Sequence, residues 1–278
     1  MSRVIGNEWE KALTSRHIWR PLVVTLSAVV MVIGTLAGFG LLGTRVEESS
    51  GGAFAADATR LTPATPAFSI WSLIYVGLLG YVIWQWRALG NPRTTRIAWP
   101  AAASMLLNAL WLGVTQLGWL WPSVAVILVL AVVLGVLVRR LGESRPTSRL
   151  EAVVVDGTFG VYLGWVSVAS VANITAVLVD TGIDPGAPWA DVLAVVVLAV
   201  AALLGVVYAV RLGGRWAIAA AMAWALAWIA VGRFAGPLYS TPTAIAAILA
   251  GVAVLAATAV LRRPDPVPLP VRSGAGHG

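Results

Sequence analysis

The sequence contains no cysteine, only two histidines and few charged residues. The absence of cysteine excludes disulfides, thiolate catalysis and iron–sulfur ligation. His17 and His277 lie outside the long apolar runs, so we expect no imidazole site within a membrane-spanning segment. Charged residues make up 11% of the chain, against about 25% in a typical soluble domain. This shortage of charge argues against a soluble fold.

The chain is instead rich in long apolar runs, and 59% of its residues are hydrophobic. A helix needs about 20 apolar residues to cross a bilayer, and several runs reach that length. We therefore predict an all-α, polytopic helical membrane protein with eight spans. The predicted spans are Pro21–Leu42, Ala67–Trp86, Ile97–Gln116, Trp121–Val138, Val153–Val179, Asp191–Val210, Trp216–Val231 and Thr243–Leu261.

The basic residues indicate the orientation of these spans. Most of them fall on one side of the predicted membrane, and only Arg45, Arg60 and Arg233 fall on the other. Because loops rich in Lys and Arg stay in the cytoplasm, we expect both termini there, in the cell inner (cytoplasmic) membrane. The same topology explains the pI of about 10.7, so we expect the lipid bilayer and no nucleic acid as a partner.

Aromatic and polar side chains inside the spans predict a ligand site. Interfacial belts explain many of the 14 tryptophans, but not those within spans. At about 1.5 Å per residue, five candidates lie about 6–12 Å below the outer surface, whereas Trp165 lies about 21 Å deep. The candidate ligand-binding residues are Trp71, Tyr75, Asn108, Trp111, Trp165 and Asn173.

Two explanations fit the asparagines among these candidates. Asn108 and Asn173 must find hydrogen-bond partners in the membrane, so each alone is explained by bonding between helices. Together with the aromatics, they favour a pocket of flat rings and a few polar groups. Such a pocket suits a large, flat, mostly apolar ligand. We predict no catalytic residue, no metal site and no cofactor.

Small residues and one carboxylate have simpler explanations. Gly34 and Gly38, and likewise Gly160 and Gly164, are spaced for close helix approach. Packing within the chain is favoured over a dimer seam. Asp156 lies near the inner end of the fifth span, where pairing with an arginine is favoured over a proton or ion site.

Three segments resemble signatures of the TspO/MBR family, the tryptophan-rich sensory proteins or translocator proteins. The segments are "PATPAFSIWSLIY", "LLNALW" and "VYLGWVSVASVANITAVL". Their order along the chain, on the second, third and fifth spans, matches the family. The family's W-Y-x-x-L-x-K-P loop motif is not visible in Gly43–Pro66, which has no Trp, Tyr or Lys.

The resemblance implies a division of the chain. Residues 21–179 would form a five-helix bundle with a pocket under the loop between its first two helices. For the rest of the chain, hydropathy, charge and composition lead us to expect a cytoplasmic segment in residues 1–20, three additional transmembrane helices in residues 180–261, and a disordered cytoplasmic tail in residues 262–278.

The resemblance also implies a function. Family members bind porphyrins, haem-related tetrapyrroles and cholesterol-like lipids, and many form homodimers. We therefore expect a membrane receptor or sensor for a hydrophobic, tetrapyrrole-like or lipid-like small molecule, with a second copy as a further partner. The alternatives are transport of such a ligand without ATP, porphyrin photodegradation at Trp71 and Trp165, or a structural membrane subunit.

Overall fold

The computed structural model describes residues 2–38, 40–41, 43–186 and 188–262, and these residues contain helices and loops but no strand. All eight predicted spans are confirmed as helices long and apolar enough to cross a membrane. The helices are α1 Ser2–Gly38, α2 Ile70–Arg87, α3 Pro92–Gln116, α4 Leu120–Leu141, α5 Arg149–Asp180, α6 Trp189–Leu212, α7 Trp216–Ala235 and α8 Thr241–Leu261. The predicted disordered tail, from residue 263 onward, lies outside the described residues.

Local sequence signals set several helix ends. Asn91 accepts a hydrogen bond from the backbone N–H of Arg93 and precedes Pro92 at the start of α3. Ser148 and Ser240 cap α5 and α8 in the same way. Such side-chain acceptors satisfy N–H groups that the first helical turn leaves unpaired. Short polar residues of this kind therefore mark where α3, α5 and α8 begin.

The first five helices close a ring. In it α1 packs on α3, α3 on α4, α4 on α5, α5 on α2, and α2 on α1. The last three helices stand beside this ring: α7 packs on α5, and α8 packs on both α6 and α7. The ring is therefore joined to the last three helices mainly through one helix pair, α5 and α7.

Glycines permit the closest helix contacts, as the spacing predicts. A Cβ on Gly34 would lie 3.1 Å from the Cβ of Ala109 in α3. A Cβ on Gly160 would lie 2.7 Å from Ala217, and one on Gly164 would collide with the backbone carbonyl of Ile218, both in α7. These small residues are thus used for packing within the chain.

Asp156 pairs with arginines, as predicted. Arg93 of α3 donates to both carboxylate oxygens at 2.7 and 2.8 Å, and Arg215 donates to one of them at 2.6 Å. Arg93 also donates to Glu151 at 2.8 Å. The carboxylates belong to the start of α5, where Ala152–Gly157 forms a π-helical turn. This ion cluster ties α3 and α5 to the turn before α7.

We predict that Gly164→Ala destabilises the protein by about 1–3 kcal/mol, the usual effect of overpacking. The added methyl group meets a backbone carbonyl, which cannot move as a side chain can. Thermal unfolding in detergent measures the loss. Gly113→Ala is the matched control, since a Cβ at that helical position meets nothing within 4 Å. Equal stability of the two variants would contradict the role assigned to Gly164.

Candidate ligand cavity

An aromatic cluster connects α2 and α5. The ring of Trp71 stacks on Tyr75 with centroids 5.4 Å apart, because residues four apart share a helix face. Trp71 also meets Trp165 and Tyr162 edge-on, at 6.1 and 6.0 Å. Phe68 contacts Trp165 at 5.8 Å. The cluster thus gathers three of the predicted site residues.

The relative depth predicted for Trp71 and Trp165 was wrong. Counting residues placed it well below Trp71, yet the two rings are in contact. Trp71 is the second residue of α2, whereas α5 continues from Trp165 to Asp180. Because α2 begins far below the end of α5, counting each helix from its own end misaligns the two.

Asn108 hydrogen-bonds to the aromatic cluster. Its side-chain amide donates to the hydroxyl of Tyr75 at 3.1 Å, and the residue is only 1% exposed. The Asn108 Oδ1 has no hydrogen-bond partner among the described residues. An unpaired buried amide oxygen destabilises a fold. The Oδ1 atom of Asn108 is therefore an acceptor that could still receive a hydrogen bond beside the aromatic cluster.

Trp111 and Asn173 form a second group. The indole N–H of Trp111 donates to Asn173 Oδ1 at 2.9 Å, and Asn173 donates to the hydroxyl of Ser123 at 3.0 Å. Ser123 donates in turn to the carbonyl of Leu120 at 2.6 Å. The network joins α3, α4 and α5, so hydrogen bonding between helices accounts for Asn173.

A small apolar cavity of about 40 Å³ lies beside these groups. Its lining residues are Val46, Phe54, Thr62, Pro63, Phe68, Trp111, Trp165, Val168, Ala169, Ala172, Asn173 and Ala225. The predicted residues Trp111, Trp165 and Asn173 line it, whereas Trp71, Tyr75 and Asn108 do not. Drug-sized ligands occupy roughly 300–1,000 Å³, so the cavity as it stands is too small for such a ligand.

Trp165 is the polar group of this cavity without a partner. Its side chain is 2% exposed, and its indole N–H has no hydrogen-bond acceptor among the described residues. A buried tryptophan N–H ordinarily finds an acceptor. Trp165 therefore contributes its ring to the lining of this apolar cavity and carries a buried donor that no described group accepts.

The roof of the cavity is the loop of residues 43–64, here called the cover loop. Val46, Phe54, Thr62 and Pro63 of this loop line the cavity, and the ring of Phe54 lies 6.0 Å from that of Trp111. Phe54 is 6% exposed. Apolar contacts of this kind exclude water where they form, so the cover loop shields this side of the cavity.

Arg233 of α7 holds the cover loop from the side. It is fully buried, and its two terminal nitrogens donate to the carbonyls of Thr59 and Ala56, both at 2.8 Å. Bonds from a charged donor to backbone carbonyls are stronger than neutral ones. The loop is therefore fixed by a residue that lies beyond the five-helix ring.

Further bonds tie the same stretch to the last three helices. Arg60 pairs with Asp191 of α6 at 2.6 Å, and Asp191 also accepts from Ser240 at 2.6 Å. The backbone N–H of Ala64 donates to the carbonyl of Trp228 at 3.1 Å. Sequence reasoning noted Arg60 and Arg233 only as exceptions to the charge asymmetry. Their position on the side with few basic residues was the only signal in the sequence that these two arginines help to attach the cover loop.

The fold and the cavity can be compared with known proteins. The model of the TSPO-like protein family matches residues 18–261, which include all eight membrane helices. The chain belongs to the TSPO-like family. The match therefore extends beyond the five helices that carry the three signatures, and includes the helices that hold the cover loop. Comparisons with curated proteins and with solved structures give no significant match.

Membership places this TSPO-like protein among multi-pass membrane proteins of the sensor or transporter type, a family that is not typically enzymatic. The division of the chain into domains stays a prediction.

We predict that Asn173→Ala destabilises the protein by about 1 kcal/mol, because it leaves the indole N–H of Trp111 unpaired. Thermal unfolding of the detergent-solubilised protein measures the change. Trp111→Phe removes that donor, so the double variant should lose less stability than the sum of the two single variants. Strictly additive losses would show that the bond between Trp111 and Asn173 contributes nothing.

We predict that Arg233→Gln frees the cover loop. Losing two charge-assisted bonds should raise the rate of tryptic cleavage at Arg45 or Arg60 by about tenfold or more. Mass spectrometry of the fragments identifies the site. Arg87→Gln is the control, since Arg87 is exposed at the other end of the bundle. Equal cleavage rates in both variants would mean that Arg233 does not restrain the loop.

Proposed function

We propose that this TSPO-like protein is a membrane receptor or sensor that binds a hydrophobic, tetrapyrrole-like ligand under the cover loop. The observation that carries the proposal is that Trp165, whose indole N–H has no acceptor among the described residues, lines an apolar cavity next to the cover loop. A ligand with an acceptor on an otherwise flat, apolar body would satisfy this donor and stack on the neighbouring rings.

Binding requires the cover loop to move. The cavity of about 40 Å³ is much smaller than a tetrapyrrole. The loop covers it with side chains from residues 46 to 63, and hydrogen bonds attach the loop to α3, α6 and α7. Ligand occupancy would therefore be coupled to the contacts of Arg60 and Arg233 with the loop. In a sensor, this coupling reports occupancy to the last three helices.

The location of the site follows from the predicted orientation. The cover loop lies at the end of the bundle opposite the majority of the arginines. With both termini in the cytoplasm of a cell with an inner membrane, the cavity lies in the outer half of that membrane. The ligand then arrives from the outer leaflet or from the space beyond it.

We predict that protoporphyrin IX binds the detergent-purified full chain with a saturable shift of the porphyrin absorption band. Trp165→Phe removes the donor and should weaken binding about tenfold. Ala172→Leu fills the cavity without removing a hydrogen bond and should weaken binding by a similar factor. The band belongs to the porphyrin, so the signal does not depend on the number of tryptophans.

Trp189→Phe is the matched control, because Trp189 is 64% exposed and does not line the cavity. It should bind as the parent does. A shift that never saturates and is identical in all four proteins would mean that porphyrin only partitions into the micelle. That result would overturn the proposed ligand.

A further inference from the structure

A second and much larger cavity lies at the opposite end of the bundle, with a volume of about 740 Å³. It is bounded by the turn between α4 and α5, the start of α5, the turn between α6 and α7, and the end of α8. Its charged lining residues are Arg139, Glu143, Arg145, Asp156, Arg211, Arg215 and Arg262. We call it the arginine cavity. It shares no residue with the cavity under the cover loop.

The carboxylates of the arginine cavity are already neutralised. Asp156 accepts from Arg93 and Arg215 in the buried ion cluster. Glu143 pairs with Arg96 at 3.0 Å. Neither carboxylate is therefore available to balance the remaining arginines.

Three of those arginines lack an internal counter-ion. The side chains of Arg139, Arg211 and Arg262 make no ion pair or hydrogen bond among residues 18–262 as far as these are described. They are exposed, and they lie at the ends of three different helices: Arg139 and Arg211 within the last turns of α4 and α6, and Arg262 directly after α8. The cavity thus presents uncompensated positive charge on several sides of one space.

Two local features of the backbone border this space. The π-helical turn Ala152–Gly157 carries Asp156 into the ion cluster at the floor, and such turns are frequent at functional sites. On the rim, a Cβ on Gly214 would lie 2.6 Å from the Cα of Arg262. The close approach of this turn fixes the backbone of Arg262 beside the opening.

Orientation in a membrane accounts for the sign of these charges but not for their arrangement. Positive residues need only lie on one side of the bilayer to set topology. Topology alone does not require these arginines to line one cavity of ligand size next to a buried ion cluster. Residues 263–278, which lie outside the described residues, contain two arginines and a single aspartate.

We propose that the arginine cavity binds a phosphate-bearing anion. Guanidinium groups match the oxygens of a phosphate in geometry and charge. The cavity is lined by residues at the ends of the membrane helices, where lipid phosphates are expected, and basic pockets between helices bind anionic head groups. The phosphate belongs to an anionic phospholipid or to a soluble anion such as pyrophosphate.

The test is native mass spectrometry of the full chain in detergent, titrated with phosphatidylglycerol and, separately, with inorganic pyrophosphate. The triple variant Arg139→Gln, Arg211→Gln, Arg262→Gln should weaken binding about 100-fold, which corresponds to about 1 kcal/mol per arginine. The control is Arg20→Gln, Arg87→Gln, Arg149→Gln, which removes the same charge at the same end but outside the cavity. It should change the Kd by no more than about threefold.

The two titrations separate the sources of the phosphate. Variant-sensitive binding of phosphatidylglycerol alone supports a lipid head group, and that of pyrophosphate alone supports a soluble anion. Equal weakening in both triple variants would show diffuse attraction and overturn the proposal. Failure of the parent to bind either probe would overturn it as well. Because thermal unfolding of each variant is measured in parallel, a folding defect is distinguished from a loss of affinity.

Discussion

The close contact between α5 and α7 is the constraint on which the rest of the structure depends. Gly160 and Gly164 let the two backbones approach, and a side chain at either position would separate them. Through this contact α7 stands near enough for Arg233 to reach the cover loop, and the turn before it near enough for Arg215 to reach Asp156. One helix pair therefore positions groups at both ends of the bundle.

Hydropathy and spacing predicted the helices well, because each span must satisfy its backbone internally and present apolar side chains to lipid. They also predicted the close glycine contacts and the pairing of Asp156. Relative depth was less predictable. The position of Trp165 beside Trp71 depends on where α2 begins beneath the cover loop, and no local signal in an irregular loop gives that height.

The candidate site was predictable only in part, for a related reason. Residue type marks a side chain as needing a partner, but not whether the partner is protein or ligand. Asn173 finds Trp111 and Ser123, and so its polar groups are used within the fold. Trp165 finds no acceptor among the described residues. In the sequence, Asn173 and Trp165 are both polar-edged residues within a span, and only their neighbours on other helices decide which of them finds a partner.

The contacts of Arg233 with the cover loop also join residues that are far apart in the sequence, so no local pattern predicts them.

The attachment of the cover loop has a consequence for biosynthesis. Thr59 and Arg233 are 174 residues apart in the chain, so the loop leaves the ribosome long before its clamp. At about 5–20 residues per second, the delay is about 10–35 s. During this interval the first five helices can be inserted while the loop lacks its two bonds to Arg233. These bonds form only after α7 has been synthesised, so the final attachment of the loop is a late step of assembly.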